Sequence, residues 1–346
     1  MIWLAWRQFR LQAAIALVAL ILAGILLALT GAHLRDLYDA SGITTCRAHG
    51  DCAALESLFL AHEKLLQDLL GPALLAIPAL LGLFWGAPLL ARELESGSYR
   101  LAWTQSIPRT RWLAVKVTLV GAVSIAVAEL FSLMVSWWFS PIDKVNMNRF
   151  TPAIFDERGI VAIGYAAFAV ALGITAGAII RKTLPAMAAI LIGFAAVRLL
   201  ITYVVRPNLI SPTHVSAPLA TVSDVGFAAA PSGTTLMAGT PTISNAWIQS
   251  NQIVNAGGQA PSGQYVHRFL AQHCPSIIES PSAGSRPAPA AFKECITQLS
   301  TTFHEAVTYQ PASNYWPFQA YETLIFLGLA LILIGLSFWW IRHRIT

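Results

Sequence analysis

Ala91-Arg92-Glu93-Leu94-Glu95-Ser96-Gly97-Ser98-Tyr99-Arg100-Leu101-Ala102-Trp103-Thr104-Gln105-Ser106-Ile107-Pro108-Arg109-Thr110-Arg111-Trp112-Leu113-Ala114-Val115-Lys116 is a polar, net-basic connector between two long apolar runs. Gly97 and Pro108 oppose a single helix through it. Carboxylates come first, Glu93 and Glu95, followed by the Gly97 turn, a Leu101 and Trp103 surface, Pro108, and the basic pair Arg109 and Arg111. With Arg92 and Arg100 added, a loop this short fixes its own side of a membrane. Charge alone describes an ordinary cytoplasmic loop. The order of residues also describes a docking element, with Leu94, Leu101 and Trp103 as apolar anchors and the arginines setting orientation.

Working outward, the chain of 346 residues is 56% hydrophobic and 11% charged, with a mean hydropathy of +0.61. Soluble domains keep about a quarter of their residues charged, so this chain is solvated mainly by lipid. A net charge of +5 bears on topology. No basic and aromatic stripe points to nucleic acid.

Six apolar runs predict six spans, near residues 11–29, 71–90, 112–139, 160–180, 184–205 and 321–340. The first is longer than a signal-peptide core and lacks a good small-residue cleavage site, so it is expected to remain as an anchor. Ahead of it, Trp3, Trp6 and Phe9 recur at three-residue steps beside Arg7 and Arg10. Residues 1–10 therefore form either an interfacial amphipathic segment or the start of the first span. Residues 11–205 hold the first five spans and the coupling segment 91–111. Residues 206–318, rich in Ser, Thr, Pro, Ala and Gly, read as one external domain with much irregular backbone. Residues 319–346 hold the sixth span and its basic tail.

An even number of spans puts both termini on one side, and the positive-inside rule makes that side the cytoplasm. Cys46, Cys52, Cys274 and Cys295 all fall in segments assigned outside, where disulfides are permitted. Local pairing joins Cys46 to Cys52 and Cys274 to Cys295, but four cysteines allow three pairings. A zinc site using His49, His273 or His304 has no tight ligand repeat behind it.

The sequence carries no Walker A loop, dinucleotide glycine fingerprint, His-Glu-x-x-His helix or Gly-x-Ser-x-Gly elbow. The chain is thus read as a non-enzyme. Any active transport must draw its energy from another subunit or an ion gradient. Glu129 and Arg198 lie within predicted spans, where a charge must face the bundle, pair or reach water. Three readings follow: a bundle-stabilising pair across the third and fifth spans, two independently hydrated side chains, or a role in a substrate or gating path.

The connector, with Ala91 to Arg100 followed by Leu101 to Ser106 and Arg109 to Lys116, resembles bacterial ABC exporter permeases, especially actinobacterial ones. That resemblance covers the six-span plan. It implies an all-α membrane protein, a six-span exporter-permease bundle with a large mixed extracytoplasmic loop domain, seated in a bacterial inner or plasma membrane. It also implies a second permease subunit, identical or related, and separate cytoplasmic ABC ATPase subunits. ATP and magnesium would be bound there, and no cofactor by this chain. The segment after the second span would enter a groove on the ATPase, with Glu93 and Glu95 as its acidic start, Gly97 as its turn, and Arg109, Arg111 and Lys116 as its basic exit. In the wider family a proline often lies a few positions before that exit, whereas Pro108 here adjoins Arg109. The implied cargo is an amphipathic drug, lipid or antimicrobial compound. An ion-coupled carrier and a nontransporting membrane scaffold or sensor are the alternatives.

Overall fold

Six helices are long and apolar enough to cross a membrane: Trp6–Ala40, Lys64–Ser96, Arg109–Asn146, Val161–Ile180, Thr183–Asn208 and Ala312–Arg344. The computed structural model describes residues 2–48, 52–97, 108–147, 149–156, 158–219, 226–230, 233–239, 243–275 and 289–344. Their contacts divide into a helical unit, Met1–Ile210 with Tyr315–Thr346, and a mixed unit, Ser211–Asn314.

In the helical unit, α1 (Ile2–Ala40) is unbroken, so residues 2–10 are its first turns. The short helices α2 (Ile43–Arg47) and α3 (Ala53–Ala61) follow, and the Cys46–Cys52 disulfide joins the segment between them. The second span contains α4 (Lys64–Leu81), a π turn at Gly82–Gly86, and α5 (Ala87–Ser96). Pro72 and Pro78 sit inside α4 and Pro88 lies in the first turn of α5. The wide turn just before Pro88 accommodates a residue that cannot donate to the helical ladder.

The third span, α6 (Arg109–Asn146), runs past the predicted end of the apolar run and through Pro141. Pro141 cannot donate to the carbonyl of Trp137 four residues earlier. The Arg35 guanidinium donates to that carbonyl instead, at 3.1 Å, and lies 3.7 Å from the Trp137 ring. At the helix end, Arg47 donates to the carbonyls of Lys144 and Val145, both at 2.8 Å, replacing bonds that a helix terminus cannot make internally.

The remaining helices of this unit are α7 (Pro152–Asp156), α8 (Val161–Ile180), α9 (Thr183–Leu200), extended by a π turn at Ile201–Val205, and, after the mixed unit, the last span's α12 (Tyr315–Arg344). Helix α8 is the central post: 72% of its apolar window is buried, against 11% for the first span. It approaches the π turn and α5 backbone to backbone. A methyl added at Gly173 would lie 2.5 Å from the Gly82 carbonyl oxygen, and one at Gly177 would lie 2.7 Å from that of Ala87. Small residues permit such contact where lipid supplies no hydrophobic drive.

The mixed unit contains β1 (Thr213–Pro218), β2 (Gly226–Ala230), β3 (Gly233–Met237), β4 (Trp247–Asn255), α10 (Gly263–His273), α11 (Pro289–Ser300) and β5 (Phe303–Gln310). Strand β5 lies between β1 and β4, antiparallel to both, with Val307 opposite Val215 on one side and Asn251 on the other. Strands β2 and β3 form a separate antiparallel pair. The Cys274–Cys295 disulfide ties the end of α10 to α11 over a core of Val266, Leu270, Leu299 and Phe303. This section therefore holds more regular structure than its loop-like composition predicts. Turn-rich composition hides strands whose pairing partners are distant in sequence, as β1 and β5 are.

Candidate functional site

The connector leaves the bundle at α5 and returns at α6. Gly97 takes the left-handed conformation, φ 71° and ψ 3°, at the end of α5, a position where glycine avoids a side-chain penalty. Pro108 is extended, φ −64° and ψ 134°, immediately before α6. Arg100, Leu101 and Trp103 lie outside the described residues.

Both flanks are tied to the bundle. The Glu93 carboxylate pairs with the Lys116 ammonium across the connector, and both side chains are largely buried. Lys116 also lies 4.8 Å from the Trp112 ring. One Glu95 carboxylate oxygen accepts bonds from the Thr183 backbone N–H at 3.2 Å and hydroxyl at 2.9 Å, placing a negative charge at the first turn of α9 where the helix dipole favours it. Leu94 packs against the core. Glu93 and Leu94 are therefore half-buried against the protein, Glu95 is exposed but held to Thr183, and Arg111 is exposed in the first turn of α6. Cations are disfavoured at a helix N-terminus by about 0.3–1 kcal/mol, so helix stability alone does not account for Arg111.

The start of α1 and the last turn of α12 lie at this same end of the bundle. Phe9 meets Trp85 edge-on with centroids 4.9 Å apart, and Arg181 donates to the carbonyl of Arg344 at 3.1 Å.

Charges gather a second time where α7, α8, α9 and α12 meet. Asp156 pairs with Arg206 and, at 3.3 Å, with Arg198. It also accepts from the Tyr165 hydroxyl at 3.2 Å and from Thr202 at 3.4 Å. Glu322 accepts from Arg206 Nε and Nη2, both at 2.8 Å, and from Tyr165 at 2.6 Å. Gln319 accepts from the Val161 N–H at 3.0 Å and donates to the Arg158 carbonyl at 2.8 Å. Two arginines thus face two carboxylates, a balance that a low-dielectric site requires.

This arrangement corrects the expected Glu129–Arg198 pair. Arg198 turns to Asp156 and to the Leu75 carbonyl, 3.2 Å away. Glu129 Oε2 has no hydrogen-bond partner among the described residues. Asp156 looked like loop in the sequence, but α7 folds that loop onto the bundle. Glu322 is the second residue of the sixth apolar run, and Arg206 is at the edge of the fifth. One readable signal was the four-residue spacing of Arg198, Thr202 and Arg206, which puts them on one helical face. Among the described residues no group of His, Cys, Asp and Glu is placed to hold a metal.

The family profile described as ABC-2 membrane transporter related matches residues 17–206. The chain belongs to that family. No curated protein and no solved structure matches it. As an ABC-2-related membrane protein it is multi-pass, with six apolar spans. The stretch matching the ABC-2-related family contains the connector, Glu129, Asp156, Arg198 and Arg206, and it excludes Glu322 and the mixed unit.

Proposed function

We propose that the chain is the permease subunit of an ATP-driven exporter and that residues 91–116 couple it to a cytoplasmic ATPase. The observation carrying this reading is that the α5 flank of the connector is tied to α6 by the largely buried Glu93–Lys116 pair and to α9 by the exposed hydrogen bonds from Thr183 to Glu95. A push delivered between Gly97 and Pro108 would therefore load α5, α6 and α9 together. A connector without those ties would yield locally and pass little on. Glu93 and Glu95 transmit the movement in this reading, while Leu101, Trp103, Arg109 and Arg111 meet the partner.

Both termini and the connector would be cytoplasmic, and the mixed unit outside, where its disulfide is at home. Two permeases, alike or related, would line the path of an amphipathic drug, lipid or antimicrobial compound. Asp156 and Glu322 are committed to ion pairs with Arg198 and Arg206, whereas an ion-coupled carrier needs a carboxylate open to its ion.

Affinity capture from gently solubilised native membranes, followed by mass spectrometry, tests the reading. The wild-type chain should recover an ATPase subunit, and a Leu101→Ala, Trp103→Ala chain of equal abundance should recover at least tenfold less. A Glu93→Gln, Lys116→Met chain should retain the ATPase yet lose ATP-dependent export. Failure of the wild-type chain to recover an ATPase would count against the exporter assignment. Recovery indifferent to Leu101 and Trp103 would count against this docking surface.

A further inference from the structure

Beside the coupling flank, α1, α4, α5 and α6 enclose a groove with two compartments that share Gln12 and Trp85 in their walls. The first is a cavity of about 290 Å³ with a polar wall of Gln8, Gln12, Arg92, Glu93, Ser96 and Lys116. The second, about 570 Å³, is walled almost entirely by apolar side chains, among them Ile15, Ala19, Ala23, Leu80 and Phe84. The groove is therefore polar at one end and apolar along the rest.

Its dimensions and charge describe an occupant. From Gln12 to Ala23 the α1 wall extends about 16 Å at 1.5 Å per residue. One leaflet of the roughly 30 Å hydrocarbon core has nearly the same depth. At the polar end, Glu93 is neutralised by Lys116. Arg92 is exposed and makes no ion pair among the described residues, leaving one positive charge in excess. The Gln8 and Gln12 side chains line the polar compartment and make no hydrogen bond among the described residues, leaving their amides open to an occupant. An acidic headgroup beside Arg92, with ester oxygens beside Gln12, would satisfy these groups together.

We propose that this groove binds one anionic phospholipid drawn from the bilayer, its headgroup at Arg92 and an acyl chain along α1 between Ile15 and Ala23. The site goes beyond the transport reading and does not depend on it, since an isolated permease would hold the lipid equally well.

The test uses the full chain in nanodiscs of equimolar phosphatidylglycerol and phosphatidylcholine, with retained lipid read by native mass spectrometry. Wild type should keep one phosphatidylglycerol in preference to phosphatidylcholine by about tenfold, the worth of a single charge-assisted hydrogen bond. Arg92→Gln should bring the two lipids close to parity while a lipid is still retained. Ala19→Trp should fill the apolar compartment and abolish retention. Leu331→Trp, the same enlargement on the exposed face of α12, should behave as wild type and thereby exclude a general effect of surface bulk. Equal retention of the two lipids by wild type would overturn the proposal. So would a preference surviving Arg92→Gln, or retention surviving Ala19→Trp.

Discussion

Arg206 is about 1% exposed and donates to two carboxylates while its guanidinium carbon lies 4.5 Å from the Phe155 ring. Removing one member of such a group strands the others without solvent. Arg206→Met should therefore cost about 3–5 kcal/mol of stability, read as a lower thermal unfolding midpoint in detergent. Arg206→Met combined with Glu322→Met should recover part of that loss, because it removes a stranded charge along with its partner. Glu129→Gln should be near neutral, since its Oε2 has no hydrogen-bond partner to lose among the described residues. A midpoint falling as far for Glu129→Gln as for Arg206→Met would show that Glu129 has a partner. At this scale the sequence was only partly legible. Glu129 and Arg198 stand out against apolar neighbours, but Glu322 and Arg206 sit at the margins of apolar runs. Their partnership spans 116 positions, and periodicity reports only what neighbours along one element share.

At the scale of elements, the six spans were legible because each demands about twenty apolar residues, a requirement that lipid imposes and no tertiary contact relaxes. Their ends were not. Helix α6 outlasts its apolar run because Arg35 and Arg47 satisfy carbonyls that Pro141 and the helix end leave open. Helix packing offers a sharp comparison between two glycines. Gly173 abuts the Gly82 carbonyl, whereas a methyl at Gly121 would meet nothing within 4 Å. Gly173→Leu should lose about 1–3 kcal/mol or more through overpacking. Gly121→Ala should be neutral or raise stability by about 0.5–1 kcal/mol through helix propensity. Unfolding midpoints measured side by side decide this, and equal effects of the two changes would refute the close contact.

At the scale of the whole molecule, the division at Ile210 and Asn314 separates parts with different sources of stability. The helical unit is stabilised by lipid-facing spans and buried polar ties, the mixed unit by a small core and one cross-link. The Cys274–Cys295 bridge closes 21 positions, a loop worth about 3 kcal/mol in the chain-entropy account. Cys274→Ser with Cys295→Ser should therefore speed limited proteolysis between residues 211 and 314 while leaving the spanning fragments intact on a gel. Cleavage unchanged by the double substitution would show that the bridge contributes little. The local cysteine pairing was one of three possibilities in the sequence. The sheet was not legible at all, because β1 pairs with a strand some ninety positions away, Thr213 meeting Tyr309.

The glycine contact between α8 and the second span has a mechanical consequence. Side chains that interdigitate act as teeth, and moving one helix past another means unseating them. At Gly82, Gly86, Gly173 and Gly177 there are no teeth, so the two rods meet there as a plain bearing. Small sliding of packed helices is an established form of domain motion. In the coupling reading proposed above, the second span would act as a rocker, turning on its glycine fulcrum at mid-length when its end at Gly97 is driven.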